Sequence, residues 1–96
     1  MHFKVEKLKV YQNGSTLAFV DLAVMNGGQT LCVVKGFKVM QGQDGPWLAE
    51  PSQKGSDGKW YPTFYFGQDK ESGKALKSEA QEAALAAYRN ETEGGF

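Results

Sequence analysis

Residues 16–40, TLAFVDLAVMNGGQTLCVVKGFKVM, hold two long apolar runs on either side of Asn26-Gly27-Gly28. Asparagine and glycine reach the positive φ angles that a tight turn needs, so the two runs are expected to fold back on each other as a β-hairpin. In the first run only Asp21 and the polar start at Thr16 break the apolar residues on both alternating sets, which predicts a central strand covered on both faces. Gly36 in the second run marks a candidate β-bulge. The rest of the chain has to be built around that hairpin.

The flanking segments read as further strands. FKVEKLKVY (3–11) places lysines in near alternation with β-favouring residues, the pattern of a half-exposed strand, and Asn13-Gly14 turns it into the hairpin. After a turn at Gly42-Gln43-Asp44-Gly45, PWLAE (46–50) reads as a fourth strand. KWYPTFYF (59–66) reads as a fifth, held to a sheet edge because Pro62 has no N–H to give a neighbour. From Ser72 the period changes. GKALKSEAQEAALAAYRNE is rich in helix formers, and Leu76, Ala80, Ala83, Ala84, Ala87 and Tyr88 share one side at 3.6 residues per turn. Small alanines on that side would let the helix lie close to the sheet. Ser78 followed by Gln81 matches a capping box, and Ser72 offers an earlier start. The expected fold is α+β: a five-stranded, mainly antiparallel meander sheet with one C-terminal helix, forming a single domain over residues 1–93 with 94–96 as a disordered tail.

At 96 residues the chain can bury one small core, and self-association is the expected aid to its stability because Cys32, the lone cysteine, cannot form an internal disulfide. Lys4, Glu6, Lys7 and Lys9 break every early apolar run, and no stretch has the roughly 18 to 20 apolar residues of a membrane span, so a soluble, cytoplasmic protein is expected. The single thiol suits a reducing compartment. His2 and Cys32 are too few for a zinc site, and Cys32 within an apolar strand reads as a packed thiol rather than a nucleophile. GQDKESGKA (67–75) puts five residues between its glycines and Ala75 after the lysine, where a phosphate-binding loop needs four and a hydroxyl. Asp44 and Asp57 precede glycines and read as turn formers. No enzyme, cofactor, metal or small-molecule substrate is expected.

Formal net charge is zero, which argues against a strongly cationic nucleic-acid binder. The distribution is uneven: residues 1–77 carry ten lysines against seven acids, and the last nineteen carry Arg89 against four glutamates. Lys54, Lys59, Trp60, Tyr61, Phe64, Tyr65 and Phe66 follow one another after the Pro51-Ser52 break. They could supply phosphate contacts and stacking faces, as single-strand binders do. They could equally be core or dimer-interface aromatics with lysines guarding an edge, and residue types alone favour that second reading.

Residues 33–52, VVKGFKVMQGQDGPWLAEPS, resemble the SpoVG (stage V sporulation protein G, septation regulator) family. Val33-Val34, Lys38-Val39, Gly42, Gly45, Trp47-Leu48-Ala49 and Pro51-Ser52 fall on that family's pattern without a gap. The likeness continues through Lys54 and Asp57-Gly58 and returns at Gln81, Ala83, Leu85 and Tyr88; over the first thirty residues it lies mainly in strand pattern. The resemblance implies a small sheet packed by a C-terminal helix, a homodimer, and a site-preferring DNA- and RNA-binding regulator of bacterial gene expression. It places candidate phosphate contacts just after Pro-Ser and near the helix start, where Lys54 and Lys77 stand. Gln53 and Glu79 occupy places where the family often has lysine, and Tyr65-Phe66 replace its His-Pro. The candidate nucleic-acid interface is Gln53, Lys54, Lys59, Trp60, Tyr61, Lys74 and Lys77, with lysines for phosphate and Gln53, Trp60 and Tyr61 for bases. The alternative is a dimeric protein-interaction module of the same fold that binds no nucleic acid.

Overall fold

The computed structural model describes residues 2–67 and 71–93; the tail expected at 94–96 lies outside the described residues. In chain order the elements are β1 (His2–Asn13), β2 (Thr16–Asn26), β3 (Gln29–Gly42), β4 (Gly45–Ala49), β5 (Ser52–Lys54), β6 (Trp60–Pro62) and α1 (Glu71–Glu93). The class is α+β as expected, but the strands do not form one five-stranded meander. Four make an antiparallel sheet in the order β1-β2-β3-β4, and β5 pairs with β6 in a separate ribbon.

Two prolines account for the division. Pairing of β3 with β4 ends at Lys38↔Ala49, and the chain then passes through Pro51, which is buried and has no N–H to continue the ladder. Pro51 packs on Gly36, where a Cβ would lie 3.3 Å from its ring. The aromatic run expected to be strand over 59–66 pairs only at Trp60–Pro62. Past Pro62 the Thr63 N–H donates to the Pro51 carbonyl at 3.0 Å, and the chain turns inward. Phe66 becomes buried and Phe64 half-buried, while Tyr65 between them is 73% exposed.

Gly36 is the expected bulge, at φ 101°. The β2–β3 register steps from Val20↔Phe37 to Leu22↔Val34, so Lys35 and Gly36 together stand against Asp21. On the other side of β2 the register steps from Val5↔Leu22 to Lys7↔Asp21 and leaves Glu6 unpaired. Bulges on both sides of Asp21 increase the local twist of the sheet.

The core lies between one sheet face and α1. Ala18, Val20 and Leu22 of β2, Phe37 and Val39 of β3 and Leu48 of β4 are buried there with Ala80 and Ala84 of the helix. Both alanines are fully buried, as a closely seated helix requires. Phe64 and Phe66 close one end, with ring centroids 5.1 Å apart, and reach Phe37 and Phe3 edge-on at 5.4 and 5.7 Å. The core reading thus holds for Phe64 and Phe66. Coverage of β2 on both faces does not hold throughout: on the face away from the helix Ala23 and Met25 are buried, but Phe19 is 37% exposed.

Two local expectations change. The helix begins at Glu71, so Ser78 lies within it and forms no capping box; the alanine-, lysine- and glutamate-rich run favours helix straight through that position. Its neighbours act on the sheet instead. Glu79 Oε1 accepts from the Phe3 N–H at 3.0 Å and Gln81 Oε1 from the Leu48 N–H at 3.4 Å, so helix side chains satisfy backbone donors on both edge strands. Cys32, expected as a packed thiol, is exposed. Because β4 pairs only with residues 38–42, the earlier half of β3 has no strand beyond it among the described residues, and nothing flanks the thiol on that side.

Candidate nucleic-acid interface

The ribbon of β5 and β6 sets the first group of candidates side by side. Its register places Gln53 opposite Tyr61 and Lys54 opposite Trp60. The intervening turn is braced from within: the Gly55 N–H donates to the Lys59 carbonyl at 2.7 Å, and the Gly58 N–H to the Gly55 carbonyl at 3.0 Å. Asp57 acts as the turn former expected of it, accepting the Lys59 N–H on Oδ1 at 3.0 Å and the Tyr61 hydroxyl on Oδ2. Tyr61 lies directly over Gly55, where a Cβ would come within 2.7 Å of the ring. One face of Tyr61 is therefore committed to the turn, whereas Trp60 is 61% exposed.

The Tyr61–Asp57 bond moves both groups. The donated hydroxyl, then the Lys59 N–H, holds the Asp57 carboxyl below its ordinary value of 3.8, and the same bond pushes the Tyr61 hydroxyl above 10.0. A lowered carboxyl stabilises the turn fully above 3.8 and loses that effect as pH falls through the lowered value. A raised phenol stabilises it below 10.0 and loses that effect as pH rises through the raised value. The Tyr61 ring NMR shifts are therefore expected to be flat between about pH 5 and about pH 9 and to move outside that window. Asp57→Asn should abolish the acid arm; an acid arm that survives it would mean that another group holds the turn.

The helix contributes less freely. Lys77 Nζ lies 3.6 Å from Glu50 Oε1, which brings the second turn of α1 to the bend before β5. Lys74 Nζ lies 3.9 Å from Glu71 Oε1 in an exposed pair, the kind worth little to stability. Gln53, Lys54, Lys59, Trp60 and Tyr61 therefore share the ribbon, Lys77 adjoins it through Glu50, and Lys74 faces its own helix.

Lys38, which the resemblance matched as part of a strand, was not among the candidate interface residues. Its Nζ lies 5.8 Å from the Trp60 ring centroid and 5.9 Å from that of Phe19, joining the ribbon to the sheet face opposite the helix. Lys9, Phe19 and Lys38 stand in one cross-strand row, and Lys7, Lys9, Phe19 and Asp21 line a hollow of about 170 Å³ on that face. The lysine alternation of residues 3–11 was the available signal; its connection to Lys38 depends on the register of three strands. Among the described residues no three His, Cys, Asp or Glu side chains gather as ion ligands, and no helix is long and apolar enough to cross a membrane.

No family model matches the chain. Over 91 residues it is 26% identical to a protein of Archaeoglobus fulgidus that bears the provisional name septation protein SpoVG, covering 92% of this chain and 96% of that protein. From strand β1 to the terminal helix, then, the chain is similar to a SpoVG-family protein of nearly the same length, in agreement with the resemblance carried by residues 33–52.

Proposed function

We propose that this protein is a SpoVG-like regulator of gene expression that binds DNA or RNA as a cytoplasmic homodimer. The observation that carries the reading is the ribbon itself, where Lys54 and Lys59 flank a Trp60 ring that is 61% exposed and approached by the Lys38 ammonium. Cations interleaved with exposed aromatic faces suit a polyanion with flat bases. Each phosphate neutralised releases counterions, so a few contacts per subunit, doubled in a dimer, give useful and salt-sensitive affinity. Pairing of subunits is supported by the earlier half of β3, whose edge has no neighbouring strand among the described residues and carries exposed Leu31, Cys32 and Val33. Such an edge is a template for another strand.

The double variant Lys54→Glu with Lys77→Glu is expected to abolish retardation of DNA and RNA fragments in gels while sedimentation still reports a dimer. Unchanged retardation would remove both lysines from the interface. A second reading, a dimeric protein-interaction module that binds no nucleic acid, is favoured by the pairing of Lys74 with Glu71 and Lys77 with Glu50, which occupies both candidate lysines of the helix internally. Titration against mixed oligonucleotides separates the two: affinity that rises steeply as salt is lowered supports the nucleic-acid reading, and no binding even at low ionic strength supports the module.

A further inference from the structure

We infer that the sheet face opposite the helix is a stacking platform for single-stranded nucleic acid, centred on Phe19, Lys38 and Trp60; this rests on the nucleic-acid reading above and assigns it a second surface and a strand preference.

The face is built by register. Alternation from the buried Ala18 and Val20 turns Phe19 away from α1, and alternation from the buried Phe37 and Val39 does the same for Lys38. Lys9 pairs with Phe19 from the other side. Tyr11 extends the aromatic surface, its ring centroid 5.2 Å from that of Phe19 and tilted by 35°. Tyr11, Phe19 and Trp60 are 44%, 37% and 61% exposed, so three rings stand open, two of them, Phe19 and Trp60, within 5.9 Å of the ammonium of the half-buried Lys38.

The charge of the face selects the occupant. Among the described residues the only lysines within 4.0 Å of a carboxylate are Lys74 and Lys77, both on the helix, so Lys7, Lys9 and Lys38 of this face have no such partner. Asp21 is the one acid lining the hollow among the described residues. A protein partner would need carboxylates to meet these lysines and apolar side chains to cover the rings. A single strand brings both as its repeating unit, a phosphate for each ammonium and an unpaired base for each ring. Duplex DNA keeps its bases stacked on one another and has none to offer, so the platform discriminates between the two forms.

The test uses the full chain and fluorescence anisotropy. The probes are a labelled oligo(dT) of about 12 nucleotides, within the site sizes of single-strand binders, and its duplex with oligo(dA). Phe19→Ala is expected to weaken oligo(dT) binding about 5- to 150-fold, the effect of losing one stacked base. Lys38→Gln, which leaves the rings in place, is expected to weaken it as well and to make the salt dependence shallower by about 0.7 in log–log slope, one phosphate contact on a single strand. Duplex affinity should be unchanged in Phe19→Ala, which removes a ring and no charge. Wild-type affinity for oligo(dT) in both variants would overturn the platform while leaving the ribbon and the nucleic-acid reading standing. Failure of the wild-type protein to bind either probe at low salt would overturn both.

Discussion

Replacing Phe37 with alanine is expected to cost about 3–5 kcal/mol, the range for emptying a buried phenylalanine site. The side chain is 0% exposed and is the largest of those fully buried. It stands in the cross-strand row Leu8–Val20–Phe37, under the helix, and meets Phe64 edge-on at 5.4 Å and Phe66 at 6.2 Å. The alanine would open a cavity where the sheet, the helix and the incoming 64–66 segment converge, and none of the three can collapse into it without leaving the other two. Total stabilities of small domains are about 5–15 kcal/mol, so the variant would sit near its unfolding threshold. Urea denaturation checks this directly, with Phe37→Leu, which refills part of the volume, expected to fall between variant and wild type. A loss below about 1 kcal/mol would mean that the three elements do not share one core.

Gly73→Ala is expected to destabilise the protein by about 1–3 kcal/mol, against the usual sign for this exchange in a helix. Alanine normally gains about 1 kcal/mol over glycine in a helix interior. Here a Cβ at residue 73 would overlap the carbonyl group of Gly67, and that neighbour is backbone, which cannot rotate aside as a side chain could. The first turn of α1 would have to move away from residue 67. The displacement would loosen the Lys77–Glu50 contact that ties the helix to the bend before β5. Thermal unfolding compared with the wild type reads the sign; a raised midpoint would show that propensity outweighs the close approach and that the helix start is not held where Gly67 meets it.

Much of the architecture was legible because it is locally encoded. Asn13-Gly14 and Asn26-Gly27 needed turns with positive φ, and Gly14 and Gly27 adopt φ 62° and 61°. Gly36 marked the bulge for the same reason, and the alanine-rich tail marked the helix by composition. The Gln53, Lys54, Trp60 and Tyr61 group was legible too, since Asp57-Gly58 folds a short segment back on itself and neighbours in sequence become neighbours in space.

What remained hidden depends on contacts between distant segments. Nothing in KWYPTFYF distinguishes the exposed Trp60 from the buried Phe66: all are aromatic and β-favouring, and the difference arises where Thr63 bonds back to Pro51 and turns the chain into the core. Ser78 and Gln81 have the spacing of a cap, yet the helix starts earlier and Gln81 is used to satisfy the β4 edge. Lys38 belongs to a run that reads simply as strand; only the combined register of β1, β2 and β3 with the placement of β6 sets its ammonium between Phe19 and Trp60. Turn chemistry and hydrophobic period therefore determined which elements this chain forms, because those preferences act over a few residues. The tertiary structure decided which aromatics are core and which lysines meet a carboxylate, because burial and ion pairing depend on what the rest of the chain brings alongside.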